Sequence, residues 1–447
     1  MLLKVLVIGQ GGREHAIAWN LSKSEKINSI YVAPGNGGTF FEKKTTNIKL
    51  KTTDIDSLID FVKKNSIDLT IVGPEAPLVD GIVNRFNAEG LRIFGPTKEH
   101  ARLEGSKVFA KSFMNENNLP TASSESFSEK QSATEYLSTR KYPVVIKADG
   151  LASGKGVVIT DSFEDSLEAI TQLMNDDSSK KVLIEEFLTG IEMSAIYICN
   201  FRGCSYEIGL PWTKDYKSRD EYNSGPNTGG MGAVSHPFCY QHKNNIYKNH
   251  IEIEKILTKT IIAINDINKL NKSGYIGFLY LGLMIDSESN IKVLEYNCRL
   301  GDPETQNLML HLTNKKISLM DLIENNPKIP VQDYNLDRIN EDTEEYCCTI
   351  VLAAKGYPGS FKKDFYIDLG DVNETDNIKV FHSGTTLYNS KIKSIGGRIL
   401  SVNVFSDNKE NAIKIAYDTI KKIKCYEDEN FTIENCDLVF FREDIGQ

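Results

Sequence analysis

The sequence predicts a multidomain chain that opens with a parallel α/β sheet and closes with a small α+β module. Three observations carry this reading: a length of 447 residues, a regular alternation of short apolar runs with helical stretches in the first hundred residues, and a Gly- or Pro-rich turn after each apolar run. A single core stops growing well before this length, and at roughly 150 residues per domain about three domains are expected. The apolar runs at 5–8, 30–33, 69–72 and 92–94 read as strands, separated by helical stretches such as 55–64. Strands alternating with helices build a parallel sheet. The turns Gly9-Gln-Gly-Gly-Arg13, Pro34-Gly-Asn-Gly-Gly38, Gly73-Pro-Glu-Ala-Pro77 and Gly95-Pro-Thr97 follow the strands. Ligands of such sheets bind beyond the carboxyl ends of the strands, so these four loops converge on one crevice.

A dinucleotide site does not fit that crevice. Glu14 stands where the third glycine of G-x-G-x-x-G belongs, and the second strand ends in Ala33-Pro34 with no acidic residue for a ribose hydroxyl. Gly11, Gly12 and the start of the following helix could still hold a single phosphate on backbone N–H groups.

Hydrophobic residues make up 40% of the chain and charged residues 25%, the balance of a globular protein. The net charge of −9 and the lack of a long Lys/Arg run argue against nucleic acid as a partner. Any phosphate must therefore be bound locally. The eight cysteines contain no C-x-x-C, so neither a zinc knuckle nor a disulfide framework is expected, and reduced thiols point to the cytoplasm. The first residues run straight into a strand with no signal-peptide pattern, and no segment approaches the ~18 continuous apolar residues of a membrane span.

From about residue 103 to 330 the pattern changes. A helix at 106–117 precedes Pro143-Val-Val-Ile-Lys147-Ala-Asp-Gly-Leu-Ala-Ser-Gly-Lys-Gly156-Val-Val-Ile, which reads as strand, glycine loop, strand: a mobile flap with Lys147 and Lys155 as cations. It is not a Walker motif, since Gly156 and not Ser or Thr follows Gly154-Lys155. A strand at 182–188 leads to Gly190 and Glu192. The stretch from Asn223 to Gly232 is too glycine-rich to be shaped by its own packing, as expected of a loop that forms around a ligand. A helix at 246–267 and a strand at 277–285 follow. Residues 325–330 are the best linker, and strands near 347–354, 379–382 and 398–404 with a helix at 409–423 form the last module.

The richest stretch runs from Lys292 to Glu304. Side chains alternate along a strand, which places Glu295, Asn297 and Arg299 on one face and Leu294, Tyr296 and Cys298 on the core face. A carboxylate and an amide oxygen two residues apart suit Mg²⁺, and the guanidinium beyond them can grip phosphate in a planar fork. Cys298 reads as a small buried hydrophobe, and His15 and His382 as structural.

These motifs together resemble the ATP-grasp ligases, and among them the phosphoribosylamine–glycine ligase family of purine biosynthesis. The resemblance spans the chain and rests on Gly9-Gln-Gly-Gly-Arg-Glu-His15, Pro34-Gly-Asn36, Gly73-Pro-Glu-Ala-Pro-Leu78, Leu103-Glu-Gly-Ser-Lys107, Lys147-Ala-Asp-Gly-Leu151, Glu185-Glu-Phe-Leu188, Gly225-Pro-Asn-Thr-Gly-Gly-Met-Gly232, Glu295-Tyr-Asn-Cys-Arg299 and Gly301-Asp-Pro-Glu-Thr-Gln306. It implies an N-terminal substrate-binding α/β domain over residues 1–103, an ATP-grasp domain over 104–330 with a lid at about 122–190, and a C-terminal α+β domain over 331–447. It also implies ATP with Mg²⁺ or Mn²⁺, and glycine and 5-phosphoribosylamine as substrates joined through a glycyl phosphate. The chain would work as a monomer or homodimer, with neither nucleic acid nor membrane as a partner.

By the same resemblance, Lys107 and Lys147 contact ATP phosphates, the segment Glu185, Glu186, Phe187 and Leu188 reads adenine, and Glu192 holds the ribose. Glu295 and Asn297 ligate the metal. Arg299 and Asp302 orient the glycine and phosphate end, which makes them, with Lys147, the catalytic candidates. Gly11, Gly12, Asn36, Glu75 and Pro77 would hold phosphoribosylamine, with Asp215, Lys217, Asn227, Thr228 and Gly229 as further substrate contacts. Two departures stand out. The family pattern has histidine and arginine at positions 216 and 218, where this chain has Tyr216 and Ser218 with Arg219 one place later. The strand at 277–285 also lacks a second metal carboxylate. The alternatives are another ATP-grasp carboxylate–amine ligase and a nucleotide-binding protein without turnover; the joint presence of Lys147, Glu295 and Arg299 speaks against the second.

Overall fold

The computed structural model describes residues 2–151, 156–174, 181–200, 206–235, 243–267, 274–324 and 345–447; the expected linker at 325–330 and Lys155 lie outside the described residues. The first unit runs β1 (Leu3–Gly9), α1 (Gly12–Ser22), β2 (Ile27–Pro34), β3 (Thr45–Asn47), α2 (Ile55–Asn65), β4 (Leu69–Val72), α3 (Glu75–Asp80), α4 (Ile82–Ala88), β5 (Ile93–Phe94) and α5 (Lys98–Gly105). Its five strands are parallel in the order β3-β2-β1-β4-β5, as expected. β1 reads as continuously apolar because both of its faces are covered. Val5 and Val7 pack with Trp19 of α1 and onward into the centre of the protein, whereas Leu6 and Ile8 pack with Leu58, Ile82 and Phe86 on the other side.

The second unit begins with α6 (Lys107–Glu116), β6 (Ser124–Phe127), α7 (Lys130–Leu137), β7 (Val144–Ala148), β8 (Val157–Thr160), α8 (Phe163–Met174) and β9 (Val182–Glu186). β6-β9-β7-β8 form a separate four-stranded antiparallel sheet, with Ala133 and Leu137 of α7 and Ala169 and Ile170 of α8 filling its buried face. The expected hairpin is its β7–β8 edge, with Lys147 opposite Val157.

There follow β10 (Ile191–Asn200), β11 (Tyr206–Gly209), β12 (Thr213–Asp215), β13 (Gly232–Ser235), α9 (Lys243–Ile267), β14 (Ile276–Ile285), β15 (Ile291–Asn297), α10 (Glu304–Asn314) and α11 (Leu319–Ile323). The C-terminal region adds β16 (Tyr346–Ala354), β17 (Tyr366–Asp368), β18 (Ile378–His382), β19 (Thr385–Tyr388), β20 (Lys391–Ser394), β21 (Arg398–Ser406), α12 (Lys409–Ile420), β22 (Lys424–Tyr426) and β23 (Val439–Phe440). The C-terminal strands do not stand apart. The sheet runs β15-β14-β10-β12-β13-β16-β21-β18, because β13 pairs antiparallel with β16 from Gly232 opposite Ile350 to Ser235 opposite Cys347. β17, β19, β20 and β22 make a second, small sheet. Helix α10 is buried along almost its whole length, its leucines joining the cluster that also holds Trp19, Phe278 and Phe381.

The structure corrects one expectation about the Glu295 strand. Gly282 pairs with Glu295 but the next residue, Leu283, pairs with Val293, so Leu294 is an extra residue, a β-bulge. The bulge resets the alternation. Val293, Tyr296 and Cys298 enter the core, while Leu294 turns with Glu295, Asn297 and Arg299 to the side that lines a cavity.

Candidate functional site

A cavity of about 610 Å³ lies where the four-stranded lid, the β14–β15 end of the large sheet, the first unit and the C-terminal region meet. Of the residues singled out in the sequence, it gathers Glu75, Lys107, Lys147, Glu185, Glu186, Phe187, Leu188, Glu192, Asp215, Lys217, Asn227, Thr228, Gly229, Glu295, Asn297, Arg299 and Asp302 on its walls. Gly11, Gly12, Asn36 and Pro77 are not among the lining residues.

The lid side is organised by cations. Glu185 is ion-paired with Lys147 Nζ at 2.7 Å through one carboxylate oxygen and with Lys111 Nζ at 2.8 Å through the other. Lys111, which no sequence motif marks, is also held by the Thr121 hydroxyl at 2.7 Å. Lys147 reaches the carbonyl of the bulged Leu294 at 3.5 Å. Lys107, in the first turn of α6, donates to the carbonyls of Ala148 (3.1 Å) and Gly150 (2.8 Å). Asp149 accepts from Ser106 Oγ (2.9 Å) and from the Val108 amide (3.2 Å), an acidic group at the helix start, where the dipole favours it. The hairpin is thus clasped against α6. Burial lowers the pKa of Lys107 and Lys111, against the pull of Glu295 on the first and Glu185 on the second. Glu186 points outward to Lys292 (2.8 Å) and the Ser123 amide (3.0 Å).

On the opposite wall, burial would raise the pKa of Glu295, but Lys217, Lys147, Lys107 and Arg299 together hold it down at about 2. It is an ionised carboxylate. Lys217 lies 3.7 Å from Glu295 and is ion-paired with Glu192, and the surrounding acids keep it firmly protonated despite its burial. Asp215, on the same strand end, is pushed up to about 8 by burial, against the opposing charge of Lys217. Its Oδ1 is buried and has no hydrogen-bond partner among the described residues. Glu295 and Asn297 present two hard oxygen donors beside three lysines, a set that fits a Mg²⁺ whose other ligands are phosphate oxygens and water.

Arg299 is held from two sides: Nη2 is ion-paired with Glu104 at 2.8 Å and Nε donates to Glu75 at 3.4 Å. Asp302 accepts from Gln306 at 2.8 Å and pairs with Arg398 at 3.2 Å; Arg398 and Arg13 keep its carboxyl below the usual range despite burial. Glu104, Arg13, Tyr357 and Arg398 also line the cavity and were missed as site residues. Glu104 lies within the Leu103–Lys107 motif, and its only further signal is an acidic residue at a helix end. Arg398 and Tyr357 lie in the C-terminal region and carried none. Arg398 donates to the carbonyls of Gly229 and Asp302, both at 2.6 Å, and Tyr357 accepts from the Gly229 amide at 3.0 Å. These contacts give the glycine-rich loop its shape. A Cβ at Gly229 would stand 3.1 Å from Arg398 Cζ and 3.2 Å from the Tyr357 hydroxyl.

The two departures in this loop face away from the cavity. Tyr216 is buried in the C-terminal core, accepts from the Gly446 amide at 3.0 Å and lies under the guanidinium of Arg442 at 5.1 Å. Arg442 Nη1 in turn donates to the Ser218 carbonyl at 3.0 Å. Asp215 and Lys217, one residue off in each case, face the cavity.

The N-terminal loops form the wall behind Asp302. The Asn36 side chain donates to the carbonyls of Gln10 (2.9 Å) and His382 (2.7 Å) and accepts from the amides of Gly38 (2.9 Å) and Thr39 (3.0 Å), so its polar atoms serve the loop itself. The Gly11 amide donates to Glu14 at 2.6 Å. A Cβ on Gly9 or Gly73 would collide with the Glu14 side chain, which therefore fills the space a dinucleotide pyrophosphate would need. His15 accepts from the His382 amide on Nδ1 (2.8 Å) and so donates from Nε2 to Glu42 (3.1 Å), a neutral, structural histidine as expected.

Sequence profiles of the three domains of phosphoribosylglycinamide synthetase match this chain consecutively: the N domain over residues 3–104, the ATP-grasp (A) domain over 105–305 and the C domain over 347–447. The chain belongs to the phosphoribosylglycinamide synthetase family. A phosphoribosylamine–glycine ligase of Clostridium acetobutylicum is 41% identical over 454 residues, covering 100% of both chains. That of Escherichia coli K12 is 38% identical over 450 residues, covering 99% of this chain and 98% of the relative. The crystal structure of a phosphoribosylamine–glycine ligase from Thermotoga maritima superposes with a TM-score of 0.77 at 31% identity, over 99% of this chain and 100% of that one. The fold class read from the sequence is therefore that of the family. Among the described residues no helix is long and apolar enough to cross a membrane.

Proposed function

We infer that the chain joins glycine to 5-phosphoribosylamine at the expense of ATP, giving glycinamide ribonucleotide, ADP and phosphate. The single observation that carries the assignment of roles is the convergence of Glu295, Asn297, Arg299, Lys147 and Lys107 on one cavity in a chain of this family. The glycine carboxylate attacks the γ-phosphorus and ADP leaves. The phosphoribosylamine nitrogen then attacks the acyl carbon of glycyl phosphate, phosphate leaves and the nitrogen gives up a proton. No covalent enzyme intermediate is required.

A carboxylate approaching a triphosphate meets like charge, so cations matter more here than a base. Lys147 and Lys107 stand on the lid side to neutralise phosphate oxygens, and Arg299 to hold the reacting carboxylate and phosphoryl group in line with Asp302 behind it. A divalent cation, Mg²⁺ or Mn²⁺, held by Glu295 and Asn297 would supply further charge for the phosphates. Glu185 to Leu188 border the adenine side and Glu192 the ribose. Gly11, Gly12, Asn36, Glu75 and Pro77 shape the phosphoribosylamine end, with Asp215, Lys217, Asn227, Thr228 and Gly229 beside it. Glycyl phosphate is labile to water, so the site needs a cover, and the β7–β8 hairpin, held to α6 through Asp149 and Gly150, is placed to supply part of it.

We divide the chain into a substrate domain (1–103), an ATP-grasp domain (104–330) with a lid at about 122–190, and a C-terminal domain (331–447), working in the cytoplasm. Coupled measurement of ADP release with freshly made phosphoribosylamine, with glycine omitted in a parallel sample, tests the reaction. Release that depends on both substrates supports it; release that ignores glycine assigns the site to a different acceptor or acid.

A further inference from the structure

Glu104 occupies the last turn of α5, three residues before the start of α6, and its carboxylate is divided between two neighbours. Oε2 accepts the Cys298 amide at 2.7 Å and Oε1 is ion-paired with Arg299 Nη2 at 2.8 Å. One side chain therefore fixes both the backbone immediately after Asn297 and the guanidinium that follows. It is 7% exposed and sits with Glu75 on either side of Arg299. Glu75 is shared with Arg13 at 3.9 Å, and Arg13 also donates to the Leu300 carbonyl at 3.1 Å. A guanidinium has five donors in a rigid plane, so carboxylates at Nε (Glu75) and Nη2 (Glu104), with the Leu300 carbonyl at Nη1 (3.3 Å), fix the direction in which that plane faces a ligand. Arg299 is thus aimed before any substrate arrives, and the same carboxylate holds the end of the strand that carries Glu295 and Asn297.

We propose that Glu104 is a positioning residue for the ligation reaction: its bidentate contact to the Cys298 amide and the Arg299 guanidinium sets the direction in which Arg299 meets the reacting carboxylate and phosphoryl group. The inference rests on the reading of Arg299 as a group that touches those atoms. Glu104 acts through Arg299, whose loss abolishes the reason for the contact. Substitution by glutamine keeps the size and shape but replaces one acceptor by a donor, so either Arg299 or the Cys298 amide faces a like partner.

The test is a double-mutant cycle of Glu104→Gln and Arg299→Met, with kcat and KM for ATP and for glycine, and Tm, measured on the full chain, the slow variants with enzyme in excess. The expected result is that Glu104→Gln lowers kcat by about tenfold or more with KM for ATP within about twofold, and that the same change lowers kcat by less than about twofold further in the Arg299→Met background. Equal losses in both backgrounds, or an unchanged kcat in Glu104→Gln while Arg299→Met is impaired, overturn the proposal alone. An Arg299→Met enzyme with full turnover overturns the reading of Arg299 and the proposal with it. Should Glu104→Gln fail to fold, Glu104→Asp keeps the charge but loses the reach, and a kcat loss confined to the Arg299 background is again the expected result.

Discussion

The carboxylate of Glu185 lies 2.7 Å from the ammonium of Lys147, and Lys111 approaches its other oxygen at 2.8 Å. Lys111 and Glu185 are each 3% exposed, so a single acid holds two buried cations. Removing it leaves Lys111 without its paired acid and Lys147 with only the more distant charge of Glu295. Glu185→Gln is expected to cost about 3 kcal/mol of stability, in the range for breaking a buried pair, read by denaturant unfolding. The double variant Glu185→Gln/Lys111→Met leaves one buried cation in place of two and should recover part of that loss. A double variant as unstable as the sum of its singles would show that Lys111 is not held by Glu185.

Glu295 is ionised because four cations surround it, although burial works the other way. Glu295→Gln keeps the volume and removes the charge. Turnover at fixed Mg²⁺ should fall by at least about tenfold, the scale on which metal-site changes act, and the Mg²⁺ titration should move to higher concentration. Identical titration curves for the two proteins would contradict the assignment of Glu295 as a metal ligand.

His382 is fully buried, and burial together with the neighbouring His15 and Lys379 lowers its pKa from 6.5 to about 3, with Glu42 opposing. The unfolded chain therefore takes up this proton first. The contribution to stability is complete above pH ~6.5 and is lost as the pH falls towards 3, with a slope of at most about 1.4 kcal/mol per pH unit for one group. His15, His100 and His311 are shifted in the same direction by burial and steepen the decline. Between pH 6 and 4.5, His382→Gln should show a shallower dependence of unfolding free energy on pH than the parent protein. A parallel curve would mean that His382 binds its proton as readily in the folded state as in the unfolded one.

Arg442 is buried to within 1% and pairs in a fork with Asp444, at 2.7 and 2.6 Å, while reaching the Ser218 carbonyl and the Tyr216 ring. Arg442→Met removes the support beneath the loop that carries Asp215 and Lys217. Because Asp444 is 12% exposed and regains some water, the stability loss should be about 2–3 kcal/mol, below the full range for a buried pair. The KM for a substrate other than ATP should rise as well. Unaltered KM values together with lower stability would confine Arg442 to a scaffolding role.

The features legible in the sequence were those whose signal is local. The four strand-end turns, the Lys147 hairpin and the Glu295-Asn297-Arg299 spacing each lie within a few residues; the structure brings the hairpin, the strand and two of the turns, through Arg13 and Glu75, to one cavity, whereas the turns at 34–38 and 95–97 do not line it. The bulge at Leu294 was not legible, because it depends on which residue of β14 faces β15: the shift after Gly282 makes Leu294 the residue without a partner. Register of this kind is a property of a strand pair. The missed residues follow the same rule. Glu104 meets Arg299, and Arg398 meets Gly229 and Asp302, across separations that no sequence window spans. The joining of the C-terminal strands to the large sheet passes through β13, four residues beside a glycine-rich loop, too short to announce its partner β16. Strand β10 is different: the run from Met193 to Cys199 is almost continuously apolar and buried, and could have been read.

A crystal structure of the protein with Mg²⁺ and a non-hydrolysable ATP analogue tests the central claim most directly. The account predicts the terminal phosphates between Lys147 and Arg299, with the metal on the oxygens of Glu295 and Asn297. A triphosphate seated elsewhere, with Glu295 still paired only to Lys217, would contradict it.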